Sequence, residues 1–185
     1  MSMGGFRAAY LADIGRAFRN YKTLGDGALS QVSDGDFYRT IDPDANSIAN
    51  LVKHVGGNLE SRFRDFLTSD GEKPDRDRDA EFEFPARPSR AELLDTWETG
   101  WGTVLAAVAL LTPADLERTV TIRSEPFLVV EALDRAVTHT AYHVGQIALL
   151  AKHFAGPLWK TLSVPKGQSA RYATGTFKQG IIPKP

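Results

Sequence analysis

Apolar residues recur at spacings of three and four in four separate stretches of this chain, and the segments between those stretches lack that period. Such a pattern marks amphipathic helices that each bury one face, so the chain is predicted to fold as an all-α four-helix bundle. The first helix runs from Phe6 to Gln31 with Phe6, Tyr10, Ile14, Phe18, Tyr21, Leu24 and Ala28 on one face. The second starts at Asn46 or Ser47, whose side chains can accept free amides, and carries Ile48, Leu51, Val52, Val55, Leu59, Phe63 and Phe66. Ser89 and Glu92 form a capping-box pair at the head of the third, whose inner face is Leu94, Trp97, Trp101, Val104, Val108 and Leu111. The fourth is predicted to open on Pro126 and to bury Val129, Ala132, Leu133, Ala136, Thr140, Ile147 and Leu150 before Gly156-Pro157 stops it.

The connections add direction. Residues 33–45 carry Gly35 and Pro43 among polar residues and read as a loop with at most a short turn. Leu67 to Pro88 holds Gly71, Pro74, Pro85 and an alternating charge run from Asp75 to Asp79, and is read as a long surface connection. Extended at about 3.3 Å per residue, it spans more than the roughly 30 Å of a 20-residue helix, so it can return along the bundle and leave the second and third helices parallel. Thr112-Pro113 ends the third helix, a turn over Ala114 to Leu116 follows, and Thr119 to Ile122 is a candidate for a brief extended piece. Helical period is lost after Pro157. The chain is therefore divided into a bundle, 1–157, and an irregular tail, 158–185, packed on or near it. From Arg135 onward there are seven basic and no acidic residues, so the tail either docks on a more acidic body or contacts an anion.

Composition removes several function classes. The 185 residues carry a net charge of -1, which gives no global electrostatic case for nucleic acid or membrane. The longest apolar run, Val104 to Leu111, falls far short of the roughly 20 residues of a spanning helix, and Asp13 and Arg16 interrupt the N-terminal region. Neither a membrane span nor a signal peptide is expected, and the expected location is cytoplasmic. There is no cysteine, which excludes disulfides, thiolate metal sites and cysteine nucleophiles, so metal chemistry would have to use His, Asp or Glu.

Of the four histidines, His139 and His143 are an i, i+4 pair that puts two imidazoles on one helical face. At about 100° per residue they fall within the stripe of Ala132, Ala136 and Ile147, and so point into the bundle. Two neutral imidazoles on an apolar face each carry a ring nitrogen that needs a partner, and a shared cation satisfies both. The alternative is a core pair hydrogen-bonded to backbone or water. His54 borders the stripe of the second helix, and if that helix neighbours the fourth, three nitrogens converge. Three imidazoles leave a divalent ion with an open position for water or substrate. Thr140 stands where a zinc metalloprotease would have its glutamate, and no glutamate precedes a histidine by three, so neither protease nor ferritin-like di-iron chemistry is supported. His153 lies at the flank near the helix end, where the helix dipole is its expected partner.

The segments Ser47-Ile-Ala-Asn-Leu-Val-Lys-His54 and His139-Thr-Ala-Tyr-His143-Val-Gly-Gln-Ile147 resemble the DinB/YfiT-like superfamily of metal-binding four-helix bundles over about residues 6–155. The tail from Leu162 to Ser169 and the segment Arg62 to Pro74 are similar to one branch of it, for which the resemblance names no activity. The resemblance implies that His54, His139 and His143 bind one divalent metal, zinc or nickel, and that subunits pair as homodimers. It also implies an enzyme acting on a small molecule, of the thiol S-transferase kind, through a metal-bound thiolate or hydroxide, with a low-molecular-weight thiol as cosubstrate. The lack of cysteine fits a thiol that arrives from outside. A non-catalytic metalloprotein, with the ion structural and the bundle serving an interaction or stress role, is the competing reading. Asn58 and Gln146 sit one turn from ligands and are candidates to orient a bound group, Arg123 and Lys166 to anchor an anionic one. Tyr142 lies off the stripe and is assigned to packing or a dimer contact, and Trp97 and Trp101 to the core. No residue is assigned as a catalytic acid or base.

Overall fold

The computed structural model describes residues 3–84 and 86–168. It is mostly helical. The elements are α1 (Met3–Leu29), a one-turn α2 (Asp34–Phe37), α3 (Ile48–Phe63), α4 (Arg90–Leu110), the strands β1 (Thr119–Ile122) and β2 (Glu125–Leu128), and α5 (Val129–Ala155). Three single 3-10 turns cover Asp79–Glu81, Asp115–Glu117 and Gly156–Leu158. The four long helices are those expected from the apolar period. Every apolar residue assigned to the stripes of the second and fourth helices is buried. Both predicted caps form, with Ser47 paired reciprocally to Asn50 and Ser89 to Glu92, which satisfies amides that the first turn leaves without intrahelical partners.

Around the bundle, α1 neighbours α5 and α4, and α3 packs against both of those. Directions follow from where the helices touch. Gly25 and Gly15 of α1 face Trp97 and Val108 of α4, so those two are antiparallel. Tyr10 meets Val130 and Asp134 while Gln31 meets Lys160, so α1 and α5 run the same way. His54, midway along α3, lies against His139, and Phe63 and Phe66 at and beyond the end of α3 share a cavity wall with Ala132 two turns earlier in α5, so α3 opposes α5. It follows that α3 and α4 are parallel, as the long connection between them allows.

That parallel pair is in close backbone contact. A Cβ built on Gly100 would lie 2.3 Å from the Gly56 carbonyl oxygen, and one on Gly56 would lie 2.5 Å from that of Thr96. Trp97 and Trp101 fill the space beside this crossing, both fully buried, with Trp97 Nε1 donating to Asp26 at 2.9 Å. Two details of the stripes differ from expectation. Leu93 is buried where Leu94 was expected, and Phe6 lies exposed near the start of α1. Both lie near helix ends, where the buried face is set by neighbours and not by period alone.

The fourth long helix starts three residues later than expected, because Pro126 belongs to a β-hairpin. Thr119–Ile122 pairs with Glu125–Leu128 in antiparallel register, Thr121 opposite Pro126. The two-residue turn places Ile122 and Glu125 in the hydrogen-bonded pair, so the next pair needs no amide from Pro126 towards β1. Arg123 and Ser124 both have positive φ, 55° and 63°, which this tight turn demands and which costs non-glycine residues energy. Asp70 offsets that cost. Its carboxylate accepts the Arg123 amide at 2.9 Å and the Ser124 amide at 2.7 Å, and the Gly71 amide donates to the Thr121 carbonyl at 2.8 Å. The connection between α3 and α4 is thereby fastened to the hairpin. After α5, Gln31 exchanges hydrogen bonds with the backbone of Lys160, and Leu162 covers Gly27 of α1. The rest of the predicted tail, beyond Gln168, lies outside the described residues.

Two stability measurements follow. Gly100→Ala forces two helix backbones apart and should cost about 1–3 kcal/mol in chemical denaturation, whereas Gly102→Ala, which faces open space, should cost nothing of that kind. Burial alone would raise the Asp70 carboxyl, but the amides of Glu72, Ser124 and Arg123 bring it down to about 2. Its contribution is therefore complete above the ordinary 3.8 and lost as pH falls through about 2. Asp70→Ala should lower the melting temperature at pH 7, with the gap to the native protein narrowing towards pH 2.

Candidate metal centre

The α3–α5 contact brings three imidazoles together. His54 Nε2 lies 3.2 Å from His139 Nε2, which lies 3.1 Å from His143 Nε2. One nitrogen from each ring falls within 4.8 Å of the other two. His54 and His143 are buried and His139 is half-buried. Their neighbours fix which nitrogens face inward. His54 Nδ1 donates to Glu81 Oε2 at 2.7 Å, and His143 Nδ1 to Gln146 Oε1 at 2.8 Å. The Gln146 amide nitrogen is engaged by the Tyr142 hydroxyl at 3.2 Å, which leaves its oxygen for the imidazole.

With both Nδ1 protons committed outward, His54 and His143 direct Nε2 lone pairs at His139. A proton on His139 Nε2 can serve only one of them, so an acceptor is left over in a desolvated place. A single cation would satisfy all three. The 3.1 and 3.2 Å separations are close to the roughly 3.3 Å edge of a tetrahedron with metal–nitrogen bonds of about 2.0–2.1 Å. At His139 and His143, protonation does not compete with such a cation near neutrality. Burial, then the proximity of His143 and His54, depresses His139 to about 3, and burial also lowers His143 against the opposing Gln146 hydrogen bond. The trio could therefore hold a metal ion.

Glu81 is the residue that sequence reasoning missed. It comes from the 3-10 turn of the supposed surface connection, yet it is 5% exposed. Arg76 grips it from behind, Nε to Oε1 at 2.7 Å and Nη2 to Oε2 at 2.9 Å. Burial would raise the Glu81 carboxyl, but the hydrogen bonds from His54 and Arg76 outweigh it and hold it below the ordinary range. Space for it is made by Gly57, where a Cβ would stand 2.7 Å from Oε1. Arg76 also reaches Glu72, which pairs with Arg62 and Arg123, both at 2.9 Å. The connection expected at the surface is thus only partly there: Gly71, Lys73 and Glu81 are buried and its charges find partners on α3 and the hairpin, while Asp75 and residues 77–79 stay exposed. The only signal in the sequence was the pair Phe82 and Phe84 inside a charged run, with Phe82 now stacked 4.7 Å from His54.

A cavity of about 480 Å³ opens beside the trio, with His54 and His139 in its wall. Asn58 lines it, Arg123 stands at its edge on the hairpin turn, and Phe63, Phe66 and Ile122 give it an apolar side. Gln146 touches His143 directly. Lys166 is exposed and does not line the cavity. Tyr142, assigned to packing or a dimer contact, lies 63% exposed at the cavity lip, its ring 4.8 Å from that of His143. His153 is exposed in the last turn of α5, against Phe154. Among the described residues, no carboxylate joins the three imidazoles: Glu81 is spent on the far side of His54.

A family model described as "Protein of unknown function (DUF1572)" matches residues 5–168, and the chain belongs to that family. Among solved structures it is similar to a DinB-like protein from Bacillus cereus ATCC 10987, with a TM-score of 0.56 and 16% identity over 78% of this chain and 89% of that one. The fold is DinB-like. No curated protein matches the chain. No helix among the described residues is long and apolar enough to cross a membrane.

If Glu81 sets the ring of His54, Glu81→Gln should weaken zinc binding by about 10–100-fold in chelator competition while His153→Ala leaves it unchanged.

Proposed function

We propose that this chain is a metal-dependent enzyme in which His54, His139 and His143 hold one divalent ion, zinc or nickel, and that it acts on a small molecule in the adjoining cavity. The observation that supports it is the trio's composition and place. Among the described residues the three imidazoles are joined by no carboxylate, and two of them, His54 and His139, line a cavity large enough for a small molecule, which suits an ion with an open position better than a closed structural one. When bound, such an ion lowers the pKa of a thiol or water that reaches it, so that a nucleophile is available near neutral pH.

The chain's own residues prepare that chemistry. Glu81 and Gln146 hold the Nδ1 protons of His54 and His143, which keeps both Nε2 atoms unprotonated and aimed at one point. Phe63, Phe66 and Ile122 keep water from one side of the cavity, and Asn58 offers an amide on the same wall as His54. Thiol transfer with a low-molecular-weight thiol as cosubstrate is the reaction class we favour, on the sequence resemblance, and a chain without cysteine is compatible with it. The reading includes a homodimer, as the sequence resemblance implies.

Untagged protein should carry about one divalent ion per chain by elemental analysis, as a single three-imidazole site demands. His143→Ala should lose both the ion and turnover across a panel of thiols and electrophiles. An ion retained without any turnover over that panel would leave a metalloprotein and remove the enzyme.

A further inference from the structure

Five arginines, Arg62, Arg76, Arg78, Arg123 and Arg135, line the cavity beside the imidazoles, and among the described residues no aspartate or glutamate does. They come from α3, the connection, the hairpin turn and α5, so the convergence is tertiary and not a run of charge in sequence. The five divide by depth. At the floor, the side chains of Arg62 and Arg76 are 10% and 5% exposed, and the carboxylates of Glu72 and Glu81 neutralise them from behind. At the rim, Arg78 and Arg123 are 51% and 55% exposed. Arg123 shares Glu72 with two other arginines, and Arg78 has the exposed Asp79 at 3.5 Å and the face of the Phe82 ring at 5.5 Å. Arg135 is exposed one turn before His139, and among the described residues its side chain has no hydrogen bond or ion pair.

The surplus of charge is therefore at the mouth. A guanidinium offers donors in a planar fork that fits two oxygens of a carboxylate or phosphate. Three forks around one opening, with the imidazoles of His54 and His139 in the same cavity wall, form a cationic entrance to the cavity. We propose that Arg78, Arg123 and Arg135 bind the oxyanion of a small-molecule substrate, a carboxylate or a phosphate, whose remaining part extends towards the three histidines. The inference rests on the proposed enzyme for what the anion is there to do, though the binding itself requires no ion at the trio.

Calorimetric titration of the full chain tests it, with succinate, inorganic phosphate and uncharged succinamide as probes, on zinc-free protein and on protein preloaded with zinc. Succinate or phosphate should bind saturably and succinamide should not. Arg135→Gln should weaken binding roughly tenfold, Arg78→Gln with Arg135→Gln further, and Arg118→Gln, which pairs with Asp115 away from the cavity, not at all. Tighter succinate assigns the anion as a carboxylate, and tighter phosphate as a phosphoryl group. No saturable binding of either by about 10 mM, equal binding of succinamide, or native affinity in the double variant overturns the proposal. Anion binding by protein that takes up no zinc would uphold the rim and sink the metal reading, while zinc uptake without anion binding would do the reverse.

Discussion

The proton on His54 Nδ1 is committed to a buried carboxylate, and much of the chain outside the four long helices serves to keep that carboxylate in place. Glu81 sits between an imidazole and a guanidinium, with two hydrogen bonds from Arg76 and one from His54. A carboxylate buried with such partners is held hard, because leaving either partner alone would strand a charge or a donor away from water. Its position therefore fixes two things together: the path of the connection against α3, and the direction in which His54 presents Nε2.

From that pair outward, the connection is anchored at both ends. Asn50 donates to the Phe82 carbonyl at 2.9 Å on one side of Glu81. On the other, Glu72 gathers three arginines, and Asp70 caps the hairpin turn that carries one of them. The hairpin lies just ahead of α5, which holds His139 and His143. The turn cap and the histidine trio are thus two ends of one series of polar contacts running through Arg123, Glu72, Arg76 and Glu81.

This explains what the sequence made legible and what it hid. The helices, their order and the inward direction of His139 and His143 all follow from apolar spacing, because hydrophobic burial is periodic and is read from each stretch alone. Bringing His54 to the pair needed only that α3 and α5 be neighbours. Glu81 left no such trace. A charged residue in an aperiodic segment is ordinarily solvated, and its burial here depends on Arg76 five residues earlier and His54 twenty-seven residues earlier meeting it in space. Gly56, Gly57 and Gly100 were equally silent, since a missing Cβ acquires meaning only when the opposing carbonyl or carboxylate is known. Pro126 misled, because proline is as acceptable in an edge strand with its nitrogen outward as at the first turn of a helix.

The distribution of charge around the cavity obeys the same physics as the ion pairs behind it. Guanidinium groups taken out of water must be paired where they stand, and Arg62 and Arg76 are. Those left at the surface carry no such requirement, because water already solvates them and an ion pair there contributes little to stability. Folding therefore consumes the carboxylates at the floor and leaves the rim cations for whatever enters. Burial lowers His139 and His143, so positive charge is displayed at the entrance while imidazole lone pairs are displayed below it.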